Sequence, residues 1–182
     1  IYRNGMLYFI IALWLSMFSL LAGTNPAHAI SLGELMRGQS LIVGDKTFSN
    51  WELIDTNVSN WGGITVEGFD AGTLNPGLRY GTGGILSVSD DAVMDLDFSY
   101  EVTVTDPIFR IKDNSLLITE FTVDGLFGSI VIEEAVYDGP TSLDLLARKF
   151  VSDLDPDDEA AFGMQESLFI QNSISLDSFI TG

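Results

Sequence analysis

The chain of 182 residues has no cysteine, a single histidine, and eight Lys/Arg against 26 Asp/Glu. Each scarcity excludes a chemistry. Without cysteine there is no disulfide, no thiolate nucleophile and no thiolate metal site. With one histidine, a Ser-His-Asp triad depends on whether that residue stays in the working protein. It is His28, in the stretch "NPAHAIS". The shortage of basic residues leaves a formal net charge of −18, which repels phosphate backbones and anionic membranes. Nucleic acid is therefore not an expected partner.

Long apolar runs are scarce as well. Residues Leu7–Ala22, LYFIIALWLSMFSLLA, carry no charge and only two serines. Arg3 precedes them, and Ala27-His28-Ala29 follows a break containing Gly, Asn and Pro. A basic start, an apolar middle and small residues at −3 and −1 describe a secretory signal peptide. The run also falls short of the ~20 residues that span a bilayer comfortably. Residues 1–29 are read as the signal, with cleavage after Ala29, and an uncleaved membrane anchor is the alternative. Cleavage removes His28, and no membrane insertion is expected afterwards. Removing Arg3 leaves seven basic residues against all 26 acidic ones, a formal net charge of −19.

What remains, residues 30–182, is long enough for one domain with a substantial core. Ser31 and Glu34 have capping-box spacing before Leu35 and Met36, which predicts a short helix to about Arg37, stopped by Gly38. Everything after it punctuates as β structure. Leu41–Val43 precedes a turn at Gly44-Asp45-Lys46, and Thr47–Ile54 alternates around Phe48 and Trp51. Strands are expected at Ile64–Phe69 and Gly84–Val88, separated by the turn-rich NPGLRYGTGG. Val93–Thr105 is the clearest segment: Met94, Leu96, Phe98, Tyr100, Val102 and Val104 share one parity. A two-residue period means one buried face and one wet face. Ser115–Val123 and Ile130–Val136 repeat the pattern around Asp124-Gly125 and Gly128, as a hairpin would. Leu143–Val151 fits helix and strand about equally, Asp153–Glu159 reads as an acidic loop, and Ser167–Phe179 returns to strand spacing. Roughly nine or ten short strands with turns about every ten residues predict a single all-β domain, a β-sandwich or jelly roll.

Three stretches carry a family resemblance. The opening SLGELMRGQSLIVGDKTFSNW (31–51), the pair GLRY (77–80) and DLDFSYEVTV (95–104), and the closing SLFIQNSISLDSF (167–179) together resemble exported PEP-CTERM-type proteins of Gram-negative bacteria. The resemblance implies export to the periplasm, cell surface or extracellular matrix, and a structural or adhesive role with no assigned activity. That family's signature is a carboxy-terminal V-P-E-P, an apolar helix and a basic tail. This sequence ends SLDSFITG, without any of the three: either the tail is missing from this fragment or the protein is a relative released without an anchor.

Candidate sites are few. No G-x-S-x-G elbow occurs, and GTGG at 81–84 lacks the Lys-Ser/Thr of a phosphate loop. Carboxylates remain, and two of them suffice for glycoside hydrolysis when set ~5–9 Å apart with one pKa raised. Glu120, Glu133 and Glu134 lie on expected strands, where adjacent Glu133 and Glu134 would point to opposite faces. Calcium is the sharper expectation. DLDPDDE supplies Asp153, Asp155, Asp157, Asp158 and Glu159 in seven positions, and calcium takes six to eight oxygens. Its spacing begins as an EF-hand loop and then departs: Asp158 stands where Gly belongs and Met164 where a bidentate Glu belongs. SDDAVMDLD (89–97) is a second acidic turn, and a merely solvated loop is the plainer reading of both. Trp61, followed by Gly62-Gly63, is the candidate carbohydrate platform, whereas Trp51 and Tyr80 are expected in the core. No catalytic residue is assigned. The expected function is non-enzymatic, with extracellular polysaccharide or surface proteins as partners. A carbohydrate-binding module is the alternative, and a carboxylate glycosidase the third reading.

Overall fold

The computed structural model describes residues 29–73, 75–89, 91–119, 128–139, 141 and 144–178. The signal segment, except Ala29, lies outside them, as do Glu120 and the Asp124-Gly125 turn.

The described chain runs β1 (Ile30–Ser31), α1 (Leu32–Leu35), β2 (Leu41–Val43), β3 (Lys46–Thr56), β4 (Thr65–Phe69), β5 (Gly77–Gly81) and β6 (Val93–Val104). It continues through β7 (Ile111–Leu117), β8 (Gly128–Tyr137), β9 (Leu145–Ser152), β10 (Asp157–Gln165) and β11 (Ser167–Ser178). Every strand pair is antiparallel. A six-stranded sheet, in order β2-β3-β6-β11-β8-β9, forms one layer. The facing layer is split into the three-stranded sheet β1-β4-β5 and the ribbon β10-β7. The fold is an all-β sandwich, as its alternation predicts.

The α1 prediction holds at atomic detail. Ser31 Oγ accepts from Glu34 N–H at 3.2 Å, and Ser31 N–H donates to Glu34 Oε2 at 3.1 Å. The helix ends within one turn, and Gly38 follows at φ +94°, a left-handed conformation that glycine adopts without strain. Leu32 and Leu35 enter the core.

The parity read from β6 is the parity of burial: Leu96, Phe98, Tyr100 and Val102 are all enclosed. Leu168, Ile170 and Ile174 of β11 and Val136 of β8 complete that face. In β3 the core residues Phe48 and Trp51 are three apart, which plain alternation does not allow. A register shift between Ser49 and Glu52, with Asn50 at φ +53°, inserts the extra residue and turns both rings inward. Trp51 then stacks on Tyr100 at 4.4 Å between ring centroids.

Four local expectations change. Gly84–Val88 is irregular, whereas GLRYG, expected as turn, forms β5 because it pairs along β4. β7 and β8 do not form a hairpin: β7 pairs with β10, and β8 lies between β11 and β9. Leu143–Val151 resolves to strand β9 over its described part, with Lys149 and Val151 buried on the inner face. The acidic loop is shorter than expected, since β10 already begins at Asp157. The strand count is accordingly eleven among the described residues.

Candidate functional site

Two places on the sandwich combine polar chemistry with shape. The first is an open groove of about 330 Å³, lined by Asn57–Asn60, Gly83–Ile85 and Met94. Its wall is built by side chains that extend the β3–β6 ladder. Asn57 Nδ2 donates to Val93 O at 3.1 Å, and Asn57 Oδ1 accepts from Asp95 N–H at 2.9 Å. The opposite rim turns at Gly83 and Gly84, both at positive φ. Ser59 and Asn60 are exposed, and the Asn60 side chain makes no capping bond to the 3-10 turn Trp61–Gly63 that it precedes. The lining offers neutral amides, a hydroxyl and backbone groups, with no titratable side chain. That chemistry suits hydrogen bonding to a neutral, hydroxyl-rich ligand and supplies no acid or base.

Trp61 is next to this groove in sequence but outside its lining. The indole is half-buried and packs against the edge of the core. The glycine beside it answers a different need: a Cβ on Gly33 of α1 would meet Gly62 O at 3.1 Å and Gly62 Cα at 3.2 Å. The Gly62 backbone is in place for close packing against α1, not for uncovering the indole face. Trp51 and Tyr80 both pack in the interior, Trp51 on Tyr100 and Tyr80 against Phe98 at 5.7 Å.

The second place is a polar row across the inner face. Phe98, Asn172, Glu134 and Lys149 are successive cross-strand neighbours on β6, β11, β8 and β9. Lys149 is fully enclosed, and Glu134 and Asn172 are each 4% exposed. Lys149 Nζ donates to Glu134 Oε1 at 2.5 Å. Burial pushes the Glu134 carboxyl above its ordinary value, opposed by the Lys149 charge and its hydrogen bond and by a hydrogen bond from the Asn114 carboxamide of β7. Tyr80 comes from the facing sheet and Tyr100 from β6. Burial raises both phenols above their ordinary range. Tyr80 and Asn172 each hydrogen-bond to Tyr100, whereas Trp51 Nε1 and Asn114 Oδ1 are sealed without a partner. Such atoms are uncommon and costly in a folded interior. From sequence, Glu134 is a candidate only as half of a carboxylate pair, and Lys149 and Asn172 are not candidates at all. The available signal was a lysine at an inward parity position of a strand.

The acidic segment does not converge. Asp153 and Asp155 lie in the turn between β9 and β10, while Asp157, Asp158 and Glu159 already belong to β10 and alternate across it. Asp157 and Glu159 face solvent. Asp158 points the other way and accepts from Phe150 N–H at 3.0 Å, covering a backbone donor on the open edge of β9. Among the described residues, no group of three or more His, Cys, Asp or Glu is arranged to hold a metal ion. The five carboxylates expected to hold calcium are thus not brought together: two lie in the turn and three alternate along β10. Nor does Glu134 face a second carboxylate across a cleft, since its partners are a lysine and an amide.

The outer face of the six-stranded sheet differs in character. Asp55, Asp97, Ser173 and Glu133 form one cross-strand row. Ser175 Oγ donates to Asp95 Oδ1 at 2.8 Å in the next row. Arg148 Nη1 pairs with Glu133 Oε1 at 2.7 Å at the half-exposed edge. No helix among the described residues is long and apolar enough to cross a membrane. No known family's sequence profile matches the chain, and neither a curated protein nor a solved structure shows significant similarity to it.

Proposed function

We propose that this is an exported, non-catalytic sandwich domain that acts at the cell surface or in the extracellular matrix through contacts made by its faces. The observation that carries the reading is where the reactive groups lie. Among the described residues, the one carboxyl raised above its ordinary range is shut inside the core against Lys149, whereas the outer face of the six-stranded sheet carries Asp55, Asp97, Ser173 and Glu133 in one row. A face of that kind keeps the protein soluble and interacts through hydroxyls and cations rather than through a reaction centre. The signal-like segment 1–29 and the resemblance to PEP-CTERM-type exported proteins favour export. So does the position of Ile30, which cleavage after Ala29 would make the amino terminus and which opens β1 by pairing with Val66 of β4.

Expression of the complete chain in a Gram-negative host tests this reading. Amino-terminal sequencing of the released protein should begin at Ile30, with the protein in the periplasm or medium. A chain that stays uncleaved in the inner membrane would overturn it.

The groove favours a second reading, in which a neutral polysaccharide binds beside Trp61. Co-sedimentation with an insoluble neutral polysaccharide, lost in Asn60→Ala, supports that reading; equal sedimentation of the variant removes it.

A further inference from the structure

We propose that Lys149 and Asn114 condense into an intramolecular amide bond, with Glu134 carrying the protons, so that the ribbon β10-β7 becomes covalently tied to the edge strand β9. Three observations place the reactants together. Lys149 is a lysine with no exposed surface, in a region that otherwise holds side chains such as Val136, Val151 and Phe98. Its ammonium and the Asn114 carboxamide bind the same Glu134 carboxyl, one from β9 and one from β7, and these two strands lie against each other. The Asn114 oxygen is sealed from solvent without a donor.

A buried ion pair is an expensive way to fill a core, since desolvation of both charges offsets their attraction. Moving the proton along the 2.5 Å Lys149–Glu134 contact leaves a neutral amine and a neutral acid, a form that a dry interior favours. Rotation of the Asn114 carboxamide about its Cβ–Cγ bond then sets the orphan oxygen against the protonated carboxyl and leaves Cγ where it was.

The reaction balances without any further reagent. The Lys149 Nζ lone pair forms a bond to Asn114 Cγ while Glu134 gives its proton to the amide oxygen. In the tetrahedral intermediate the Glu134 carboxylate takes a proton from the attacking nitrogen and passes it to Nδ2. The Cγ–Nδ2 bond breaks, the hydroxyl proton returns to the Glu134 carboxylate as the carbonyl re-forms, and one ammonia leaves. Nothing is oxidised or reduced. Fixed proximity replaces the bimolecular encounter and the carboxyl serves as general acid and base.

Peptide mapping of the purified wild-type protein with an arginine-specific protease tests the bond directly. Cleavage after Arg110 and Arg148 puts Asn114 in the fragment 111–148 and Lys149 in the fragment 149–182. The expected product is a single branched species in which the two are joined, lighter than their sum by one ammonia. Asn114→Ala keeps the Lys149–Glu134 pair and should return two separate fragments of full mass, as should Glu134→Gln. Two separate fragments of full mass from the wild type would overturn the proposal. So would fragment 149–182 alone lacking one ammonia, because that places the bond on Asn172.

Discussion

Glu133 and Glu134 are neighbours in the chain and occupy opposite sides of the sheet. Glu133 pairs with Arg148 at a half-exposed edge, while Glu134 pairs with Lys149 in the sealed interior. The register that sets Glu133 opposite Phe150 and Glu134 opposite Lys149 sends one ion pair to water and the other to the core. The two pairs are alike in chemistry and unlike in consequence.

Breaking them should therefore cost different amounts. In the Asn114→Ala background, which keeps the ion pair without the amide bond, Lys149→Met leaves Glu134 buried without its cation, and urea unfolding should report a further loss of about 3–5 kcal/mol. Arg148→Ala removes a partner from a solvated pair, with an expected loss of less than about 1 kcal/mol. Equal losses would show that the inner pair is wetter than its burial implies.

Alkaline pH should unfold the protein through its tyrosines. Tyr80 and Tyr100 both have folded-state pKa values raised above the ordinary 10.0, chiefly by burial. Above that pH the unfolded chain releases phenolic protons that the folded chain still holds, so stability falls as pH rises. Thermal midpoints measured on either side of pH 10.0 should drop on the alkaline side, and Tyr80→Phe should make the drop shallower. An equal slope in the variant would remove Tyr80 from the cause.

Glu134 acts in the same direction at lower pH. Its folded-state pKa is raised from 4.5, so its contribution is fully present below that value and declines as pH climbs toward the folded one. In the Asn114→Ala background, the stability difference between Glu134 and Glu134→Gln, followed by urea unfolding upward from pH 4.5, should shift against Glu134. A difference independent of pH would place the proton elsewhere in the row.

Glycine at 68 is a packing requirement. A Cβ there would lie 2.8 Å from Val43 Cγ2, and Val43 is fully buried on stiff, β-branched geometry. Gly68→Ala should cost about 1–3 kcal/mol by overpacking. Gly72→Ala has nothing within 4 Å and should change stability by less than about 0.5 kcal/mol.

Calcium should leave the thermal midpoint where EDTA leaves it, because Asp157 and Glu159 face away from Asp158 on β10. A ligand at ~100 times its dissociation constant would add about 2.7 kcal/mol. A rise of that order, lost in Asp155→Asn, would mean that the turn reorganises around the ion.

Much of the architecture was legible in the sequence where burial repeats with the period of the strand. In β6 each inward position carries an apolar or aromatic side chain, so parity alone assigns the face. The Ser31–Glu34 cap was equally legible, because a capping box is closed by residues three apart. β5 was not, since Gly77, Arg79 and Gly81 have turn-like composition and become strand only by pairing with β4. The acidic segment misled for the related reason that composition counts carboxylates without giving their directions.

The sequence by itself determined an acidic chain without cysteine, a signal-like amino terminus, and the alternation of a sandwich. These are properties of composition and of neighbours a few positions apart. Only the tertiary structure decided that Lys149, Glu134 and Asn114 meet, that β7 joins β10 rather than β8, and that the open groove forms between residues 57–60 and 83–85. Each of those depends on which strands lie side by side and in what register, and shifting a strand by one residue would turn Lys149 out to solvent. The chemistry of the interior is thus a product of register, which no local pattern encodes.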